Sequence, residues 1–132
     1  MTLSLPHRLV FALAATAAIA SCAAPDADAQ RWTTELRADG WRPGVEVRAI
    51  SDFQIDGFKV LDNSHVVIFS GAARRHLITF GSPCPGLLFA QRLGYRALSG
   101  SLGRLDRLIV FGPGTRNECV IDSIHALELI GG

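Results

Sequence analysis

Few residues in this 132-residue chain could do chemistry: three cysteines, four histidines and the basic run Arg74-Arg75-His76. Cys84, set between Pro83 and Pro85, could be a nucleophile with His65, His76 or His125 as its base. A reactive cysteine needs a free thiol and a lowered pKa. Flanking prolines fix the backbone, which suits a structural half-cystine better. Zinc sites usually show a close ligand pair such as C-x2-C or H-x3-H. Here His65 and His76 are eleven positions apart, and Cys84 and Cys119 are 35 apart. Two solvated histidines are the simpler expectation. Arg74, Arg75 and His76 could hold a phosphate or carboxylate, because a guanidinium makes bidentate contacts to such groups. A hairpin start with solvated charges is the competing expectation. Gly100-Ser101-Leu102-Gly103 lacks the G-x-S-x-G elbow, and Gly112-Pro113-Gly114 lacks the spacing of a dinucleotide loop. No catalytic residue, metal or cofactor is expected.

Cys22 carries a different chemistry. The chain opens with a weakly basic start around Arg8, followed by the apolar run Leu9 to Ala20. This run of twelve residues is too short for a helix crossing roughly 30 Å of hydrocarbon, which takes about twenty. A basic flank, a short apolar core and small residues beyond it describe a secretory signal peptide. Ile19-Ala20-Ser21-Cys22 resembles the lipobox of bacterial lipoproteins, in which the cysteine becomes the lipid-modified N-terminus. The rival is Ala27-Asp28-Ala29, an A-x-A site that would start the mature chain at Gln30. The lipobox adjoins the apolar core directly, whereas the A-x-A site lies nine residues past Ala20. Lipidation of Cys22 and a signal peptide over residues 1–21 are therefore expected. Several acyl chains would make the anchor effectively permanent. Ala23 and Ala24 stand where, by resemblance to other lipoproteins, an Asp would favour the inner membrane; the periplasmic face of the outer membrane follows as the expected address. Cleavage before Gln30 would instead give a soluble periplasmic protein.

Removing residues 1–21 leaves about 110 residues, enough for one domain. All twelve acidic residues and twelve of the thirteen Lys and Arg remain, so the mature chain is formally neutral. Without a basic tail or an acidic block, nucleic acid is not an expected partner. Acylating or removing Cys22 leaves Cys84 and Cys119, which in an oxidising compartment tend to pair as a disulfide.

Residues 22–44 are expected to be a tether and an N-terminal segment, with a short helix or turn that packs a Trp on the domain edge. From Val45 to residue 132 the chain breaks into short β-rich runs separated by turn residues. VEVRAISDF alternates; residues 57–61, 65–70 and 74–80 predict an antiparallel meander with loops of hairpin length. Leu87 to Gln91 predict two helical turns closed by Gly94 as a C-cap. DRLIVFG is a strand, Gly112-Pro113-Gly114 a type II turn, and ECVIDSIHALEL a strand with a bulge near Asp122 and Ser123. The expected fold is mainly β: a small antiparallel β-barrel or curled sheet of five to seven strands with one short helix, a sandwich being the alternative.

The succession FKVLDNSHVVIF, RRHLITFGSPCPGLLFA and DRLIVFGPGTRNECVIDSIHAL resembles a family of small Gram-negative envelope proteins classed as a domain of unknown function. The resemblance spans residues 48–129, and the Pro83-Cys84-Pro85 turn is its most specific part. It implies signal peptides, often of the lipoprotein kind, and further cysteines near the positions of Ser51 and Gly103, which this chain lacks. It implies no activity. The expected function is that of a non-enzymatic envelope lipoprotein, held to the membrane by its lipid, that binds or supports another envelope protein. Trp32, Trp41 and Tyr95 are candidates for an exposed aromatic patch. A small-molecule or anion binder is the alternative, with a pocket near Arg74 to His76.

Overall fold

The computed structural model describes residues 27–71 and 73–131. The chain enters as helix α1 (Ala27–Ala38), continues through strand β1 (Trp41–Glu46) and the two-residue β2 (Ala49–Ile50), and forms the meander β3 (Gly57–Val60), β4 (His65–Ser70) and β5 (Arg74–Phe80). A single 3-10 turn, Leu87–Phe89, leads to β6 (Arg92–Arg96), the short β7 (Leu102–Gly103), β8 (Arg107–Gly112) and the long β9 (Thr115–Leu129). The main sheet runs β3-β4-β5-β9-β8-β6, with β1 also on β9; β2 and β7 form a separate pair.

Each hairpin follows from its turn residues. Between β3 and β4, the Asp62 carboxylate accepts the Ser64 N–H at 2.8 Å and tightens the loop. Gly112 and Thr115 pair across Pro113-Gly114, and Gly114 takes the left-handed conformation that a type II turn demands there. Along β4 and β5 the pleat sends alternate side chains to opposite faces. Val66, Ile68, Ile78 and Phe80 enter one core cluster, while Val67 and Leu77 enter another.

The larger cluster explains the curl. It gathers side chains from β4, β5, β9, β8 and β6, and is closed off by Ile50, Phe53, Leu87 and Leu102. Adjacent strands lie roughly 4.8 Å apart, so a flat sheet could not bring these residues together. The interior is filled: Val66, Ile68, Ile78, Leu87, Leu102, Leu108, Ile121 and Ile124 all lack solvent exposure. The smaller cluster lies on the outer face, where α1 buries Leu36 against Leu61, Val67 and Leu77. Trp32 and Trp41 flank it.

Strand β9 organises the molecule. Its first half pairs with β8, its middle with β5, and its end with β1. Thr79 opposes Ser123 and Phe80 opposes Ile121, so Asp122 is the extra residue of a bulge. The predicted bulge is thus present. It sits where one edge of β9 passes from β8 to the Leu105-Asp106 turn, whose main chain bonds Ile121 in both directions at 2.9 Å.

Three expectations change. The short helix expected beside a packed Trp is present as α1, but it takes in residues 27–30 of the expected tether, and Trp41 to Pro43 extend the β domain by pairing with β9. The VEVRAISDF run divides between β1 and β2. The two-turn helix after Pro85 shrinks to one 3-10 turn, and Gly94 lies inside β6 opposite Ile109 instead of capping a helix. Main-chain pairing decides this: the Gln91 N–H donates to the Phe111 carbonyl at 2.8 Å, which draws the chain straight into the sheet.

Candidate functional site

Cys84 and Cys119 are joined, with Cα atoms 5.7 Å apart and both residues buried. Cys84 sits in the turn between β5 and β6, its N–H donating to the Asn63 carbonyl at 2.7 Å; Cys119 points inward from β9, opposite Leu108. The bond therefore ties a long connection to the central strand. Cys22 lies outside the described residues. The separate β2–β7 ladder brings the segments of Ser51 and Gly103 side by side, the two places where the resembling proteins were expected to carry further cysteines.

Arg74, Arg75 and His76 do not converge. His76 is buried on the inner face, Arg74 is exposed and donates to the Ser51 carbonyl at 2.9 Å, and Arg75 is on the outer face. There its guanidinium lies between the Trp41 and Phe69 rings, 4.5 and 4.9 Å from their centroids. With Leu36, Val67 and the Lys59–Asp39 ion pair these groups line a shallow groove of about 290 Å³. Its cations already have partners.

The histidines are separated in the same way. His65 belongs to the outer face, stacked on Trp32 at 4.2 Å with its Nδ1 2.8 Å from Asp62, so it lies across the sheet from His76. Among the described residues no three His, Cys, Asp or Glu side chains gather as metal ligands. The expected aromatic patch also divides. Trp32, on α1, and Trp41, at the start of β1, border the outer cluster, whereas Tyr95 packs edge-on against Phe53 at 4.8 Å and donates its hydroxyl to the Phe53 carbonyl.

His76 has a consequence for stability. Its Nδ1 is buried without a hydrogen-bond partner. Burial, and then the charge of Arg74, lower its pKa below the ordinary 6.5. On acidification the unfolded chain therefore takes up this proton before the folded one does, and stability falls with pH below the unfolded value. Urea unfolding should give a constant midpoint above about pH 7 and a declining one below about pH 6.5. His76→Gln should flatten that decline; an unchanged profile would assign it to other groups.

The more unusual surface lies at the other end of the sheet, on the outer face of β6, β8 and β9. Register places Arg92, Phe111 and Arg116 in one row, Gly94, Ile109 and Glu118 in the next, and Arg96, Arg107 and Val120 in the third. Three guanidiniums share one carboxylate: Arg96, Arg107 and Arg116 approach Glu118 at 3.2, 3.3 and 3.6 Å. Arg92 instead lies 4.2 Å over the Phe111 ring, with no carboxylate partner among the described residues. Elsewhere charges pair singly, as in Arg31–Glu35, Arg42–Glu128 and Lys59–Asp39. A nearly neutral chain thus gathers four arginines against one acid. Beside this face the 3-10 turn exposes Leu88 and Phe89, 55% and 74% accessible. Sequence reasoning passed over these residues. Alternation of Arg92 with Arg96, Arg107 with Phe111, and Arg116 with Glu118 was the available signal, but it acquires meaning only once the strands are neighbours.

No helix among the described residues is long and apolar enough to cross a membrane. The molecule is a β-rich domain with a filled interior, stapled through its core by the Cys84–Cys119 bond. Its sequence belongs to the Family of unknown function (DUF6491), whose profile matches residues 5–129. This bears out the resemblance to a domain of unknown function and extends it over the N-terminal helix. No curated protein and no solved structure matches the chain.

Proposed function

We propose that this protein is a non-enzymatic lipoprotein of the bacterial envelope, anchored through Cys22 on the periplasmic side of the outer membrane. Its β domain binds or supports another envelope component. The observation that carries this reading is the cysteine arithmetic. Cys84 and Cys119 satisfy each other, so Cys22 is the odd cysteine, and it stands directly behind Ile19-Ala20-Ser21. A second support is local: the rival A-x-A site coincides with the first residues of α1, so cutting before Gln30 would remove that helix's first turn. The alternative, a small-molecule or anion binder, needs a cavity with converging polar groups. A packed interior and the divergence of Arg74, Arg75 and His76 lend it no support.

The test is the intact mass of protein purified from membranes, before and after reduction and alkylation. A chain beginning at acylated Cys22, with two thiols alkylated only after reduction, is the expected result. Cys22→Ser should remove the acyl mass and make whatever membrane association is left extractable by high salt. An unmodified chain beginning at Gln30 would refute the anchor.

A further inference from the structure

We infer that the 3-10 turn Leu87–Phe89 and the adjoining arginines form a second, reversible membrane contact, docking the domain onto an anionic phospholipid surface. The inference deepens the lipoprotein reading and draws its orientation from it. If Cys22 is acylated, it stands five positions before the first residue of α1, Ala27, with four residues between them. At about 3.5 Å per residue that tether reaches no more than about 18 Å, so the start of α1 stays within that distance of the membrane surface. The structure says what lies beside that start. Arg31, one helical turn on and paired with Glu35 at 3.4 Å, lines a surface hollow with Leu88, Glu35 and Asp62, so the unbalanced positive charge of this end lies further along, at Arg92 and Arg116.

From Leu88 the patch continues. Phe89 is exposed, and its carbonyl packs against the β8–β9 hairpin, 3.4 Å from where a Cβ on Gly112 would stand. Three residues further along the chain, Arg92 opens β6 and lies over Phe111, with Arg116 5.7 Å from the same ring. Two apolar side chains at a chain bend, bordered by guanidiniums that lack a full complement of acids, match a membrane interface chemically. The apolar pair enters the acyl boundary while the arginines reach phosphates. An anionic leaflet adds attraction for each basic residue near it. An acidic protein would also satisfy the arginines, but the short tether from an acylated Cys22 keeps this domain within reach of lipid.

Every residue of both core clusters lies between Trp32 and Leu127. A chain starting at residue 22 with Cys22→Ser therefore keeps the whole fold, and it removes the acyl chains from the measurement. It should co-sediment with vesicles containing phosphatidylglycerol, more weakly at high salt, and not with vesicles of phosphatidylcholine alone. Leu88→Ser with Phe89→Ser, and separately Arg92→Glu with Arg116→Glu, should each weaken association by at least roughly tenfold. Leu98, wholly exposed in the loop two residues beyond the far end of β6, serves as the control, and Leu98→Ser should bind like the parent. Unchanged melting curves would show that the variants are folded. Failure to bind phosphatidylglycerol, equal binding by all variants, or capture of an acidic protein without lipid binding would each overturn the proposal. The mass measurement on Cys22 stays independent, so loss of the anchor and loss of the docking patch are separable results.

Discussion

Reduction of the Cys84–Cys119 bond is expected to cost this domain about 4 kcal/mol of stability. The bond closes a loop spanning a sequence separation of 35, and the entropy that it removes from the unfolded chain corresponds to about 4 kcal/mol in the chain-entropy model. Against a total of roughly 5–15 kcal/mol for ordinary domains, that is a large share. The effect should also be local. Residues 81–91 carry the connection from β5 to β6, and the disulfide fastens them to β9 beneath Leu87. Urea unfolding with and without reductant would measure the total, and hydrogen exchange would show whether amides of that connection lose protection first. Cys84→Ala with Cys119→Ala should reproduce the reduced protein. A shift below about 1 kcal/mol would mean that the unfolded chain already holds these segments together.

Ile124→Ala is the second large effect, at about 4 kcal/mol. Ile124 is fully buried on the inner face of β9, opposite Ile78, which is equally buried. Two residues earlier the bulge at Asp122 bends the strand, and the Ile124 carbonyl accepts the Val47 N–H at 2.9 Å. Main chain is thus held from both edges of β9, so the site cannot collapse around the missing carbons. Deletions of this kind cost about 2–5 kcal/mol, and the cost is larger where relaxation is blocked. A lower urea midpoint with an unchanged slope is the expected result. Val120→Ala, partly exposed on the outer face of the same strand, should cost less than about 1 kcal/mol. Equal effects at the two positions would show that the interior is not tightly packed, and would revive the idea of a ligand inside the curl.

Much of the fold is written locally. HVVIFS and RRHLITF are short β-rich runs bounded by turn residues, Asp62 to Ser64 and Pro113-Gly114 are turn chemistry, and the broken period after Val120 marks the bulge; each depends on residues a few positions apart. The proposed lipidation of Cys22 is of the same kind, because a peptidase motif would be read along the chain. The pleat alone also implies that Arg75 faces away from Arg74 and His76, a consequence overlooked when the three are treated as a cluster. Pairing across distance could not be read in this way. Trp41 joins the fold because β1 finds the free end of β9, and Gly94 becomes a strand residue because β8 offers it a partner. The arginine face is the clearest case. Arg92, Arg96, Arg107 and Arg116 come from three strands and meet at Glu118 and Phe111 only through their register. Short-range sterics and turn preferences specify where strands begin and end. Which edges meet, and so which charges become neighbours, is decided by burying one continuous core.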